Sequence, residues 1–195
     1  MITEFTGNYS FLSMYYHRHQ TSGVMFSFYD ENEVIKTEEH FLDFPNVDMA
    51  LKASSISDKE VQEKIANLSP NNMGLEILND KENPVLTRPG WCDKRKNDVM
   101  YLLLRDKFSN KNIGVKLALL ATNYDKIIYS APEKEQEDPF WSKDNAYGKI
   151  LMRLRRELIE EDGNFKYCLR NYLIRNDMAE IESFIKIDSE EDIDE

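Results

Sequence analysis

Between Tyr147 and Leu158 the apolar side chains Ile150, Leu151, Leu154 and Leu158 fall on one face of a 3.6-residue repeat, with Arg153, Arg155, Arg156 and Glu157 mostly on the other. A stretch patterned this way hides its apolar side only as a helix packed against something else. The same spacing recurs in Val99, Met100, Leu103, Leu104 and Phe108, and again in Ile113, Leu117, Leu119 and Leu120, all of which are expected in the core. Ser57-Asp58-Lys59-Glu60 has the form of a capping box, and Ser69-Pro70 sets an N-cap before a proline, so a short helix is expected after each. Past Gly163-Asn164 the repeat resumes through Phe165, Cys168, Leu169, Tyr172 and Leu173 and ends near Ile187.

Signals for β structure are sparser. Residues 22–36 alternate apolar and polar side chains about Asp30-Glu31-Asn32, as a hairpin does. Lys126 to Ser130 is a short strand candidate, and Pro132 to Asp138 is a charged loop leading into Pro139-Phe140-Trp141. The expected fold class is α+β: a predominantly helical single domain with a small N-terminal β-hairpin and a helical C-terminal extension.

With 195 residues, 41% of them hydrophobic, one sizeable core can be buried. No apolar run approaches the roughly 20 residues that span a bilayer, and Met1-Ile2-Thr3-Glu4-Phe5 lacks the character of a signal peptide, so a soluble, cytoplasmic protein without a membrane partner is expected. Cys92 and Cys168 lack metal-site spacing and are expected in the core. His17, His19 and His40 form no ligand-like pattern, so neither a metal nor a cofactor is expected. The net charge of −11 opposes nonspecific contact with nucleic acid, although part of it sits in the run Asp188 to Glu195, expected to be a solvated, disordered tail.

Several blocks stand in one order along the chain. They are Tyr9-Ser10-Phe11-Leu12-Ser13-Met14-Tyr15-Tyr16, the run from Phe44 to Ser55, Trp91 with Met100 and Lys107-Phe108, Leu119-Leu120-Ala121-Thr122, Asp138-Pro139-Phe140-Trp141, and Asn145 to Arg155. Together, from about residue 5 to 160, they resemble the NADAR (YbiA-like) family of N-glycosidases. The resemblance implies a fold of the YbiA-like type over residues 1–162, followed by the extension at 163–187 and the acidic tail at 188–195. It also implies a cleft for a ribosyl nucleotide and cleavage of an N-glycosidic bond, either in a phosphoribosylated nucleotide or in ADP-ribosylated guanine of nucleic acid. The family's glutamate and lysine, seven residues apart on one helix, suit such chemistry: a carboxylate stabilises a cationic sugar or activates water, and an amine attacks C1 of the opened ring.

At those two positions this chain has Asp48 and Ser55. The charge survives on a shorter arm, but serine cannot form a Schiff base. Met14 and Met49 replace polar family residues, and the glycine-rich loop is reduced to Ser142-Lys143-Asp144. Lys52 is one turn before Ser55 and four residues after Asp48, so the amine is hypothesised to have moved there. The plainer alternative is a helical ion pair worth about 0.2–0.5 kcal/mol.

For substrate binding the resemblance points to Ser13, Trp91, Asp138, Trp141, Asn145 and Gly148. Trp141 suits stacking on a base or closing the core; Asp138 suits ribose hydroxyls; Trp91 suits a pocket wall or core. Asn145 and Gly148 suit a helix start that meets a phosphate, and Asn145 equally suits an N-cap. Two further functions remain beside the N-glycosidase. One is a catalytically impaired member that binds or sequesters ADP-ribose-type nucleotides. The other is a protein-interaction module using the extension, whose stripe Ile181, Phe184 and Ile185 packs back on the domain or pairs with a partner.

Overall fold

The computed structural model describes residues 1–16, 21–29, 35–69, 77, 84–130 and 139–161. Strands β1 (Thr21–Tyr29) and β2 (Ile35–Phe44) form an antiparallel pair. Its register runs from Tyr29 opposite Ile35 to Thr21 opposite Phe44, shifting between Ser27 and Met25 and again between Val24 and Thr21. The second strand is therefore much longer than the Val34–Lys36 segment suggested by alternation. Its bulged ladder breaks the strict two-residue period on which that reading depends.

Helices follow at once: α1 (Val47–Ser54), α2 (Lys59–Ala66), α3 (Asp93–Lys107), α4 (Ile113–Ala121) and α5 (Ala146–Glu161). The Asn46 side chain caps α1 by accepting from the Met49 N–H at 2.9 Å. Asp58, rather than Ser57, caps α2, accepting from the Glu60 and Val61 N–H groups, which corrects the capping-box register by one residue. The β-pair lies against α1, α2 and α3, while α5 packs on α3 and α4.

Val99, Met100, Leu103, Leu104, Phe108, Leu117, Leu119, Leu120, Leu151, Leu154 and Leu158 are buried in one core, as the periodicity requires. Two side chains depart from expectation. Cys92 is exposed just ahead of α3, not in the core. Arg155 is buried rather than outside, and its guanidinium donates to the Thr122 hydroxyl at 2.7 Å and the Asp125 carbonyl at 2.9 Å, closing the end of α4. Met14 and Met49, at positions where the resemblance implied polar residues, are both 1% exposed and belong to the core.

The Lys126–Ser130 segment is not a regular strand. Ile127 makes an isolated parallel bridge with Ile2, fixed by Ile2 N–H to Lys126 O and Ile128 N–H to Ile2 O, each 2.8 Å. Among the described residues no helix is long and apolar enough to cross a membrane. The hairpin turn at Asp30–Asn32, the start of the helix expected after Ser69-Pro70, the loop Pro132–Asp138, the extension from 163 and the acidic tail lie outside the described residues.

Candidate functional site

Asp48 sits in the first turn of α1, where the helix N-terminus favours negative charge, and its backbone N–H donates to Met14 O at 3.2 Å. The opening block and the α1 block of the sequence are thereby brought side by side. Although only 7% exposed, Asp48 is ion-paired: Lys52 Nζ lies 2.5 Å from its Oδ2. The expected sharing of one helix face by Asp48 and Lys52 is what the backbone produces, because four residues turn a helix by 40° beyond a full circle.

Ser55 ends α1. Its hydroxyl donates to Lys52 O at 2.7 Å and its carbonyl accepts from the Arg88 N–H at 2.6 Å. The position that would hold an amine in the family thus terminates a helix here.

Two lysines of α3 that were not among the expected site residues lie near this region. Lys96 Nζ stands 4.8 Å from the Phe140 ring centre and 5.2 Å from that of Trp141. Burial lowers its pKa below the ordinary lysine value, opposed by the charges of Asp93 and Asp48. Lys107 is enclosed: 3% exposed, it donates to Ser13 O at 2.7 Å and lies near the rings of Tyr16 and Phe108. Desolvation brings its pKa down to about 7. A signal for both existed in the sequence. Lys96, Met100, Leu103 and Lys107 follow each other at helical spacing, so these lysines extend the apolar stripe of α3 at either end.

Of the expected binding residues, Ser13 is half-buried beside this region, its hydroxyl accepting from the Tyr15 N–H at 3.1 Å. Trp91 is half-buried against the core. Trp141 is 3% exposed and meets Phe140 and Tyr147 edge-on, so its ring is a core element rather than an open stacking platform. Asp138 lies outside the described residues.

At the start of α5, where the resemblance pointed to a phosphate, three backbone N–H groups have local partners. The N–H groups of Asn145, Ala146 and Tyr147 donate to Ser142 O, Lys143 O and Trp141 O, and are consumed locally. Asn145 is no N-cap either. Its Oδ1 accepts from the Tyr129 N–H and its Nδ2 donates to Ile127 O, both at 2.8 Å, riveting the 127–129 segment to the helix. Gly148 permits that contact, since a Cβ there would stand 2.4 Å from Asn145 Oδ1 and 2.5 Å from Ile127 O. The shortened loop turns sharply through Asp144 and Asn145, at φ 52° and 55° in the left-handed region.

An open depression of about 1030 Å³ lies between α3 and the start of α5, lined in part by Asp93, Tyr101, Phe140, Lys149 and Arg153. Neither Asp48 nor Lys52 lines it. Phe140 does, and the ammonium of Lys96 is held against that same ring.

No family model matches the chain, and no curated protein matches it. Among solved structures, the NMR structure of the E. coli protein YbiA superimposes with a TM-score of 0.58 over 84% of this chain and 87% of that one, at 21% identity. The fold is YbiA-like. At this identity, the YbiA-like fold is a statement about the backbone alone.

Proposed function

We propose that the protein is an N-glycosidase acting on a ribosyl nucleotide, either ADP-ribosylated guanine in nucleic acid or a phosphoribosylated nucleotide, with the Asp48–Lys52 pair at its reacting centre. The observation that carries this reading is the nearly enclosed carboxylate of Asp48 held by Lys52 at 2.5 Å, at the position where the resembled family keeps its acidic residue. A fixed negative charge in a poorly solvated place stabilises the cationic sugar formed as an N-glycosidic bond breaks, and Asp48 can also activate water. Ser13, next to Met14, and Trp91 are the remaining candidates for contact with substrate.

A second reading is favoured by Ser55. Its hydroxyl is spent on ending α1, and in this reading the chain binds the nucleotide without turning it over. Incubation with an oligonucleotide carrying ADP-ribosyl-guanine, followed by assay of released ADP-ribose beside calorimetry with ADP-ribose, separates the two. Release that is abolished in Asp48→Asn is expected. Binding with no release supports the sequestering protein instead, and neither binding nor release eliminates both.

A further inference from the structure

We propose that Lys107 is a positioning residue for Asp48, acting through the backbone of residues 12–14. The inference rests on the N-glycosidase reading and names what holds its carboxylate in place. Three consecutive carbonyls of that segment accept from three different helices. Leu12 O accepts from the Tyr147 hydroxyl of α5 at 2.8 Å, Ser13 O from Lys107 Nζ of α3 at 2.7 Å, and Met14 O from the Asp48 N–H of α1 at 3.2 Å. The Tyr16 N–H also reaches Ser13 O, at the longer distance of 3.3 Å. Folding alone assembles these donors: Tyr147 is 135 residues from Leu12 along the chain, and Lys107 is 94 from Ser13.

Asp48 lies in the first turn of α1, where a backbone N–H has no acceptor within its own helix. Asn46 satisfies part of that turn locally, accepting from the Met49 N–H, and Met14 O satisfies the Asp48 N–H from outside. The placement of Met14 O therefore sets where the turn bearing the carboxylate begins. Met14 follows directly on Ser13, whose carbonyl is held by Lys107.

Packing alone does not ask for an ammonium here. Lys107 closes the buried stripe of α3 at 3% exposure, and a methionine would fill the same space without stripping water from a charge. That burial brings its pKa down to about 7. What lysine adds is a donor on an arm long enough to cross from α3 to Ser13, and a cation facing the rings of Tyr16 and Phe108 at 5.4 and 5.2 Å. An enclosed group of this kind does not meet substrate, so its influence on a reaction passes through Ser13, Met14 and the α1 turn. Such support matters because a misplacement of about 1 Å at a reacting group can lower a rate about a hundredfold.

The test makes two measurements on the full chain. The first is amide hydrogen exchange at Asp48, which needs no substrate. In Lys107→Met it is expected to run at least about tenfold faster than in the unmodified protein, while exchange at the Leu154 amide of α5 is unchanged. The second is release of ADP-ribose from an oligonucleotide carrying ADP-ribosyl-guanine. In Lys107→Met it is expected to fall about a hundredfold per folded molecule, with affinity for ADP-ribose kept within about threefold. Lys107→Gln, whose amide donates from a shorter arm, is expected between methionine and lysine in both measurements and stands in if methionine unfolds the chain. An Asp48 amide as protected in Lys107→Met as in the unmodified protein, an equal rise at Leu154, or release at the unmodified rate overturns the positioning role and leaves the N-glycosidase reading intact. No release by the unmodified protein overturns that reading, and the positioning role with it.

Discussion

The two ends of the resembling sequence have met different fates. At the α1 end, charged side chains keep their charged groups apart from the backbone: Asp48 pairs with Lys52 along one helix face at 2.5 Å, and Lys96 of α3 is held against Phe140 and Trp141. At the α5 end, around Asn145 and Gly148, polar groups have turned onto the backbone, with the Asn145 amide bonded to residues 127 and 129 and the helix-start N–H groups consumed by residues 141 to 143. Both regions belong to the blocks on which the resemblance rests. One presents a carboxylate–ammonium pair on a helix face, which the proposed function uses, whereas the other is a joint between segments.

This contrast can be broken by mutations that separate stability from activity. Gly148→Ala carries the largest expected cost, about 3 kcal/mol in urea unfolding, because its Cβ would enter the space of a backbone carbonyl at 2.5 Å. A cost below about 0.5 kcal/mol would show that the joint is loose.

Lys107 gives a pH test of the α1 end. Its pKa falls from 10.5 when exposed to about 7 when folded, so between those values the unfolded chain binds more protons and stability rises with pH. The cost of burying the charge is complete below pH 7 and absent above about 10.5. Between pH 7 and 9 this group is expected to add about 2 kcal/mol to the unfolding free energy, and Lys107→Met is expected to abolish that increment. An unchanged slope in Lys107→Met would place the titration elsewhere.

Asn145→Ala removes two backbone-directed hydrogen bonds at a left-handed residue and is expected to cost about 2 kcal/mol, with substrate turnover per folded molecule unchanged. Asp48→Asn is expected to cost about 1 kcal/mol of stability, since the amide still accepts from Lys52, but to remove activity. The smallest effect is a gain: Asp144→Gly relieves a residue at φ 52° and is expected to stabilise the fold by about 0.5 kcal/mol in thermal melts.

Apolar spacing made most of the framework legible before any coordinates. Val99, Met100, Leu103 and Leu104, and later Leu151, Leu154 and Leu158, are buried because a helix presents such residues on one side. The ion pair of Asp48 and Lys52 was legible for the same geometric reason. Long-range pairing was not. Ile2 meets Ile127, Asn145 meets Ile127 and Tyr129, and Arg155 meets Thr122, and no local pattern encodes which distant carbonyl a polar side chain will reach. Lys96 was hidden inside Asp93-Lys94-Arg95-Lys96-Asn97-Asp98, which reads as a solvated charged run although Arg95, Lys96, Asn97 and Asp98 are half-buried.

Release of ADP-ribose from an oligonucleotide carrying ADP-ribosyl-guanine, measured in parallel for the unmodified protein, Asp48→Asn and Asn145→Ala, tests the division between site and joint most directly. Release by the unmodified protein and by folded Asn145→Ala, with loss of at least about a hundredfold in Asp48→Asn, is the predicted result. Undiminished release by Asp48→Asn, or none by the unmodified protein, would contradict it.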